Sequence, residues 1–125
     1  MTNQQPLTIV IRIPNVVLSR SDLNASLGLA VDRYEPSCDH TPGYAQIDIA
    51  DDRDQWDAAL DCVQSIRASI QRLVTEGLIG APILDVAMSF PCSSLSKSLT
   101  IPARLAAVAG ETGMDVHLSV YQTKQ

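Results

Sequence analysis

The sequence predicts an α+β fold, a two-layer sandwich with about four strands and with helices on one face of the sheet. Four short segments alternate apolar and polar residues with a period of two, as half-buried strands do. One long segment, 52–77, instead repeats its apolar residues at helical spacing. Since each strand has one largely polar face, helices need to cover only the other face.

The strands are predicted at 7–13, 44–50, 83–90 and 114–121, with helices between them. The expected order is therefore βαβαβαβ in a single domain, 1–125, which is long enough to bury its own core. A doubly wound α/β fold is the weaker alternative. Its strands are buried on both faces and read as continuous apolar runs, which are not found here.

The first strand is expected to end at Pro14 and Asn15. A short helix follows, with Ser21 as its N-cap and Gly28 as its left-handed C-cap. Residues 31–43 hold two prolines and a glycine and show no periodicity. We expect this stretch to be an irregular loop, a kind of segment that often carries function.

The long helix, Asp52–Gly77, is predicted to organise the core. Asp54 is a suitable N-cap residue, and Gly77 stands where a left-handed C-cap residue belongs. The opposite side carries Asp54, Asp57 and Asp61. The residues that fall on the apolar side are Trp56, Ala59, Leu60, Val63, Ile66, Ile70, Leu73 and Val74.

A serine-rich connection, 91–99, precedes the third helix. Pro102 suits the first helical position, and Gly110 is expected to stop the helix. The last strand then alternates, and its apolar face should pack beneath the helices. That face comprises Met114, Val116, Leu118 and Val120.

Charge limits the classes of partner. The net charge is −5 and the sequence pI is about 4.7. Nucleic acids and anionic membranes need a basic surface, so neither is expected as the main partner, whereas a basic protein is compatible. The chain has no secretory signal pattern and no apolar run near the ~18 residues of a membrane span, so the cytoplasm is the expected location.

No catalytic, cofactor or metal motif is found in the sequence. The three cysteines are widely spaced without a CxxC pair, which indicates neither a disulfide framework nor a zinc knuckle. The residues 38–40, Cys-Asp-His, bring a thiol, a carboxylate and an imidazole together. Because adjacent residues of an extended loop point to different sides, we expect no catalysis there and no cofactor. A third and weaker hypothesis is a small enzyme that uses this segment or His117.

Acidic residues cluster around the start of the long helix. Six of the chain's 14 acids lie between 48 and 61. Compensation of the helix dipole explains those of the first turn, but Asp61 lies two turns in, where that effect has faded. The cluster is therefore either ordinary helix chemistry or a patch that attracts a basic partner. The residues are Asp48, Asp51, Asp52, Asp54, Asp57 and Asp61.

The uncovered face of the sheet is either a solvated surface or a recognition surface. Tyrosine gives a large contact area with a polar tip and is enriched at interfaces, so Tyr44 and Tyr121 are candidates, and His117 would make a pH-sensitive contact. The alternation places these residues on that face: Arg12, Tyr44, Gln46, Asp48, Asp85, Ser89, Asp115, His117, Ser119 and Tyr121.

A short acidic chain with alternating strands and a long acidic-faced helix resembles the immunity proteins of bacterial contact-dependent and polymorphic toxin systems. The stretch LTIPARLAAVAGETGMDVHLSVY, about a fifth of the chain, is also similar to the tail of a family of small bacterial proteins of unknown function. In that tail a Leu-x-x-Pro helix with Leu-Ala repeats leads through Gly into a final strand. The resemblance implies a cytoplasmic inhibitor that binds a cognate toxin domain.

The leading hypothesis is thus a non-enzymatic protein that neutralises a basic, nuclease-like toxin. The alternative is a small-ligand sensor that uses 31–43 and a pocket of Tyr34, Tyr44 and Tyr121. A homodimer, through a sheet edge or the outer face, is compatible with both. The residues expected to contact the toxin are Asp48, Asp51, Asp54, Asp57, Asp61, Tyr44, Tyr121 and His117.

Overall fold

A computed structural model describes residues 5–91, 93 and 95–123 of the chain. The α+β class is confirmed, but the described residues form five strands in the order βαββαβαβ, so the predicted strand count and order are wrong. The strands are β1 (Thr8–Val16), β2 (Arg33–Glu35), β3 (Gly43–Asp48), β4 (Ile83–Pro91) and β5 (Asp115–Thr123). The helices are α1 (Arg20–Leu27), α2 (Gln55–Thr75) and α3 (Ala103–Thr112).

The strands form one mixed sheet in the order β2-β3-β1-β4-β5. β1 lies at the centre and pairs antiparallel with β3 and β4, while β2 pairs antiparallel with β3. β4 and β5 are parallel, which requires a crossover connection, and α3 lies in it. β2 and β5 are therefore the two edges of the sheet.

The core lies between the helices and one face of the sheet. Ile9, Ile11 and Ile13 of β1 are almost fully buried and belong to the same apolar cluster as Ile66 and Ile70 of α2. α3 docks beside α2, where Arg67 and Glu111 form an ion pair at 2.9 Å. None of the helices in the described ranges is long and apolar enough to cross a membrane.

The caps of α2 are as predicted. The Asp54 carboxylate accepts hydrogen bonds from the backbone N–H groups of Trp56 (2.9 Å) and Asp57 (3.1 Å). Gly77 has a φ of +72°, and the next N–H, of Leu78, returns to the carbonyl of Leu73 at 2.9 Å. The helix itself starts at Gln55, later than the predicted Asp52. Of its predicted apolar side, Leu60 is half-buried, Val74 is exposed and the other members are buried.

The predicted end of β1 and the predicted start of α1 are wrong, whereas the predicted C-cap of α1, Gly28, is confirmed by its left-handed φ of +73°. β1 continues beyond Pro14, because a bulge at Asn15, with a φ of +52°, absorbs the irregularity and the Pro14 carbonyl accepts from the Gly80 N–H at 2.8 Å. The N-cap of α1 is Ser19, whose hydroxyl accepts from the Asp22 N–H at 3.1 Å, two residues before the predicted cap.

Two further boundaries differ from prediction. The stretch 31–43 is not wholly irregular, since it contains β2 and a tight bridge between Cys38 and Thr41. α3 begins after Pro102 and passes through the exposed Gly110, which a helix surface tolerates. The helix ends at Gly113, which has the left-handed φ of +85°.

The apolar face of β5 is not covered as expected. Met114, just before the strand, is buried at 4% exposure, and its N–H donates to the Ala109 carbonyl at the end of α3. Val116, Leu118 and Val120 remain 37%, 52% and 55% exposed. The helical layer ends at α3 and leaves the outer side of this strand open.

Candidate functional site

Arg12 is the centre of a polar network on the sheet face opposite the helices. Its Nε lies 3.0 Å from Asp85 Oδ2 on β4. Its Nη1 donates to the Tyr44 hydroxyl at 2.8 Å and to Gln46 Oε1 at 3.1 Å on β3. Gln46 is directly opposite Arg12 in the ladder, and the other two side chains reach Arg12 diagonally.

The network extends along β3 and, at its other end, to the outer strand β5. Gln46 Nε2 donates to Asp48 Oδ1 at 2.7 Å, and Ser119 Oγ on β5 donates to Asp85 Oδ1 at 2.7 Å. Asp85 is only 7% exposed. The bonds to Tyr44 and then Asp85 raise the pKa of Arg12 above its usual value, so the buried carboxylate always faces a cation.

The residues that could carry chemistry lie apart. His117 is exposed on β5 opposite Asp85, and Cys38 is exposed in the tight bridge. Loss of water raises the pKa of the Cys62 thiol to about 11, with a smaller contribution from the charge of Asp32, so this thiol stays protonated near neutral pH. Within the described ranges, no three His, Cys, Asp or Glu side chains group as metal ligands.

Acidic side chains gather at one end of the sheet, where β3 leads into α2. Asp32, which precedes β2, accepts the N–H of Asp48 at 2.6 Å and so joins the acids that follow β3. All members of this group are exposed. We call this surface the acidic corner; it comprises Asp32, Asp48, Asp51, Asp54, Asp57 and Asp61.

Two acids of the acidic corner, Asp54 and Asp61, have structural roles within the protein itself. Asp54 caps α2 and also accepts from the Gln5 side chain at 3.1 Å. Asp61, whose charge the helix dipole did not explain, pairs with Arg53 at 2.9 Å. Among the described residues, no ion pair within 4 Å neutralises Asp32, Asp51 or Asp57. Their charge is free to act on a partner.

Two open clefts border Asp48. The larger, about 600 Å³, is lined by Asp48 and Asp51 together with Arg12, Gln46 and Gln55. The smaller cleft, about 370 Å³, lies on the other side of Asp48 and is lined by Asp32, Asp48, Arg53 and Cys62, among others. A cationic side chain of a partner would meet at least one carboxylate in either cleft.

The structure separates the predicted partner-binding residues into groups. Asp48, Asp51, Asp54, Asp57 and Asp61 lie in the acidic corner. His117 and Tyr121 lie on β5, three strands away from β3, a distance of about 14 Å at the usual strand spacing.

Tyr44 belongs to neither group. It is half-buried within the Arg12 network, and the Arg33 guanidinium lies 5.7 Å from its ring centre. The three-tyrosine pocket does not form, because Tyr34 instead donates to the Leu18 carbonyl at 2.6 Å, and Tyr44 and Tyr121 lie toward opposite ends of the sheet.

Sequence reasoning missed Asp32. The residue stands in a stretch without periodicity, and its proximity to Asp48 results from the pairing of β2 with β3. The preceding irregular sequence carries no local signal for that pairing.

Comparisons with known proteins give no relative. No protein-family model matches the chain, and no curated protein and no solved structure shows significant similarity to it. The site must therefore be interpreted from its own geometry.

Proposed function

We propose that this chain is a non-enzymatic binding protein whose acidic corner binds a basic protein domain. The observation that supports this most strongly is the convergence of exposed carboxylates from three segments around two clefts. Summed negative charge at one site attracts cationic partners and speeds their encounter.

Each ion pair contributes so little free energy that binding should depend on several ion pairs and not on one. An exposed ion pair contributes only about 0.2–1 kcal/mol, since water and salt screen it. A lysine or arginine inserted into a cleft beside Asp48 loses part of its hydration and gains more from the same carboxylate. Association should therefore be rapid and should slow as salt is added.

Our specific proposal is an immunity protein of the cytoplasm that neutralises a toxin of the nuclease type. Nucleases hold phosphate groups with lysine and arginine side chains, and the acidic corner presents carboxylates to such groups. The general features shared with bacterial immunity proteins, a short acidic chain with alternating strands and a long acidic-faced helix, favour this class of binding protein.

Affinity capture from the native host tests the proposal. The full chain and an Asp48→Lys/Asp51→Lys variant serve as baits, with Asp115→Lys, an exposed acid at the opposite edge of the same face, as control. We expect the wild type and the control to retain the same basic protein, and the double variant to lose it. Equal capture by all three baits would contradict the proposal.

A cell assay then tests neutralisation. Co-expression of the chain with the captured protein should restore growth, and the double variant should fail to restore it. The association rate should also fall steeply between low and high salt. A rate that does not depend on salt would rule out the electrostatic mechanism.

A small ligand in the larger cleft is the second candidate. Its volume of about 600 Å³ lies within the range of known ligand sites, and Arg12 and Gln55 supply donors there. A thermal-shift screen of small anions and polar metabolites tests this, with Gln46→Ala as the variant that should lose any stabilisation seen with the wild type.

A further inference from the structure

The outer strand β5 has an edge that no described strand covers. It pairs with β4 along all nine of its residues and stands last in the sheet order. Its other side therefore presents unpaired backbone N–H and C=O groups along about 30 Å at the usual rise per residue. A long, regular edge of this kind is a template for another strand.

An apolar strip accompanies this edge. Val116, Leu118 and Val120 are 37%, 52% and 55% exposed. In the parallel register each lies beside a buried residue of β4, in order Leu84, Val86 and Met88. The strip is thus a continuation of the core that the helices leave open.

We propose that this chain forms a two-fold symmetric dimer in which β5 pairs antiparallel with β5 of a second copy. The axis of such a pair stands perpendicular to the sheet, so both helical layers remain on the same side. The two apolar strips then meet between the α3 helices. The same surface of each copy therefore forms its half of the interface.

The side chains of β5 fit this pairing in one register. With Leu118 opposite Leu118 of the partner subunit, Val116 faces Val120 of the partner subunit, and all three apolar residues are matched. On the other face, Asp115 faces Tyr121 of the partner subunit, and His117 faces Ser119 of the partner subunit. No like charges are brought opposite each other.

The distribution of charge favours this edge for self-association. The chain carries a net charge of −5, and the acidic corner lies on the β3 side of the sheet. In the dimer, the two β3 strands are seven strand spacings apart, about 34 Å, or roughly four Debye lengths at physiological salt. Repulsion between the two corners is therefore largely screened, and both stay accessible.

The interface is small. Two nine-residue edges and three half-exposed apolar side chains per copy bury on the order of 1,000 Å², near the lower limit of stable interfaces. We expect a dimer with a dissociation constant in the micromolar range, on the order of 1–100 µM.

Sedimentation velocity of the full chain, from about 1 µM to about 500 µM, tests the proposal. We expect the wild type to change from monomer to dimer over this range. Leu118→Lys should stay monomeric throughout, since a charge would be buried in the interface. Val17→Lys, at an exposed valine beyond β1, is the matched control and should dimerise as the wild type does. Circular dichroism and thermal melting establish that each variant is folded.

Cysteine cross-linking tests the register, in a chain whose three native cysteines are replaced. Leu118→Cys should form a disulfide with itself under mild oxidation, because facing residues of an antiparallel pair lie about 4.5–5.5 Å apart at Cβ. Val120→Cys alone should not, but it should cross-link when mixed with Val116→Cys.

A wild type that stays monomeric to about 500 µM, or a folded Leu118→Lys that still dimerises, would overturn the proposal. Open-ended oligomers in place of a dimer would also do so, since a two-fold pair closes. The proposed binding of a basic protein is tested separately: Asp48→Lys/Asp51→Lys should leave the dimer unchanged.

Discussion

β2 and β5 both form edges of one sheet, but they meet solvent in opposite ways. β2 has only three residues, two of which, Arg33 and Glu35, form an ion pair at 3.1 Å, and Pro36 follows it. Just before the first residue of β2, the Asp32 side chain accepts a hydrogen bond from the backbone N–H of Asp48. Short length, charge and proline are devices that prevent further pairing.

β5 has none of these features along its middle. It is nine residues long, and between Val116 and Val120 its only charged or titratable side chain is His117. The difference teaches that the two edges are suited to different contacts. The β2 side presents charge and clefts, which fit the proposed basic partner, and the β5 side presents backbone and apolar surface, which fit the proposed second copy.

The largest expected effect concerns the β2 side. A Cβ at Gly43 would lie 2.2 Å from the Val16 carbonyl oxygen of β1, with the Glu35 carbonyl of β2 at 3.2 Å. Gly43→Ala must therefore separate strands, and we expect a loss of about 3 kcal/mol in the free energy of unfolding, measured with urea. Gly110→Ala is the control: nothing lies within 4 Å and the site is helical, so stability should rise by about 0.5–1 kcal/mol. Equal effects of the two changes would contradict the close approach.

The next largest effect is expected at Asp85, which connects Arg12 of the central strand to Ser119 of β5. Asp85→Ala leaves Arg12 without its carboxylate and removes the acceptor of Ser119. We expect a loss of about 2 kcal/mol, below the usual cost for a fully buried pair because the Arg12 side chain is 38% exposed. Ser119→Ala, which removes one hydrogen bond, should cost about 1 kcal/mol or less in the same urea titration. A loss at Ser119 equal to that at Asp85 would show that the ion pair adds nothing.

A smaller effect is expected at the start of α2. Asp54→Ala removes the acceptor for two backbone N–H groups and should lower the free energy of unfolding by about 1 kcal/mol. Asp57→Ala, in the first turn of the same helix but without a capping role, should change it by less than about 0.5 kcal/mol. Reversed magnitudes in thermal melts would show that the helix dipole, and not the cap, matters here.

Near neutral pH the smallest effect is electrostatic: it concerns Cys62 and develops only in alkaline solution. Its folded pKa is raised to about 11, so above the ordinary thiol pKa of about 8.5 the unfolded chain has lost a proton that the folded chain keeps. The contribution of Cys62 to stability should therefore fall from about pH 8.5 to pH 11, and Cys62→Ala should lack this fall.

The pKa of the same thiol also depends on the charge of Asp32 in the acidic corner. In a Cys38→Ser/Cys92→Ser chain, the pH midpoint of alkylation of Cys62 should move slightly lower in Asp32→Asn, because desolvation remains the main cause of the raised pKa. Asp115→Asn, at the far edge, is the control and should leave the midpoint in place.

Much of the open face could be predicted from the sequence. A period of two is a local property, so it predicts that Arg12, Gln46, Asp85 and Ser119 share one face without any knowledge of strand pairing, and the structure joins these side chains by hydrogen bonds. The caps at Asp54, Gly28 and Gly77 were also predictable, since each depends on a few consecutive residues.

Other features were beyond such reasoning. β2 is too short to show alternation, and it exists because β3 offers it a partner. α3 passes through Gly110, since the buried Leu105, Val108 and Ala109 hold it against α2. Tertiary packing there outweighs the local cost of glycine.

By itself, the sequence determined the α+β class, the faces of the strands, the caps of α2 and the density of acids between 48 and 61. Only the tertiary structure decided that Asp32 completes the acidic corner and that β5 carries an open apolar strip. The reason is that alternation specifies which residues of a strand turn the same way. It does not specify which strands are neighbours, or how far the helical layer extends across them.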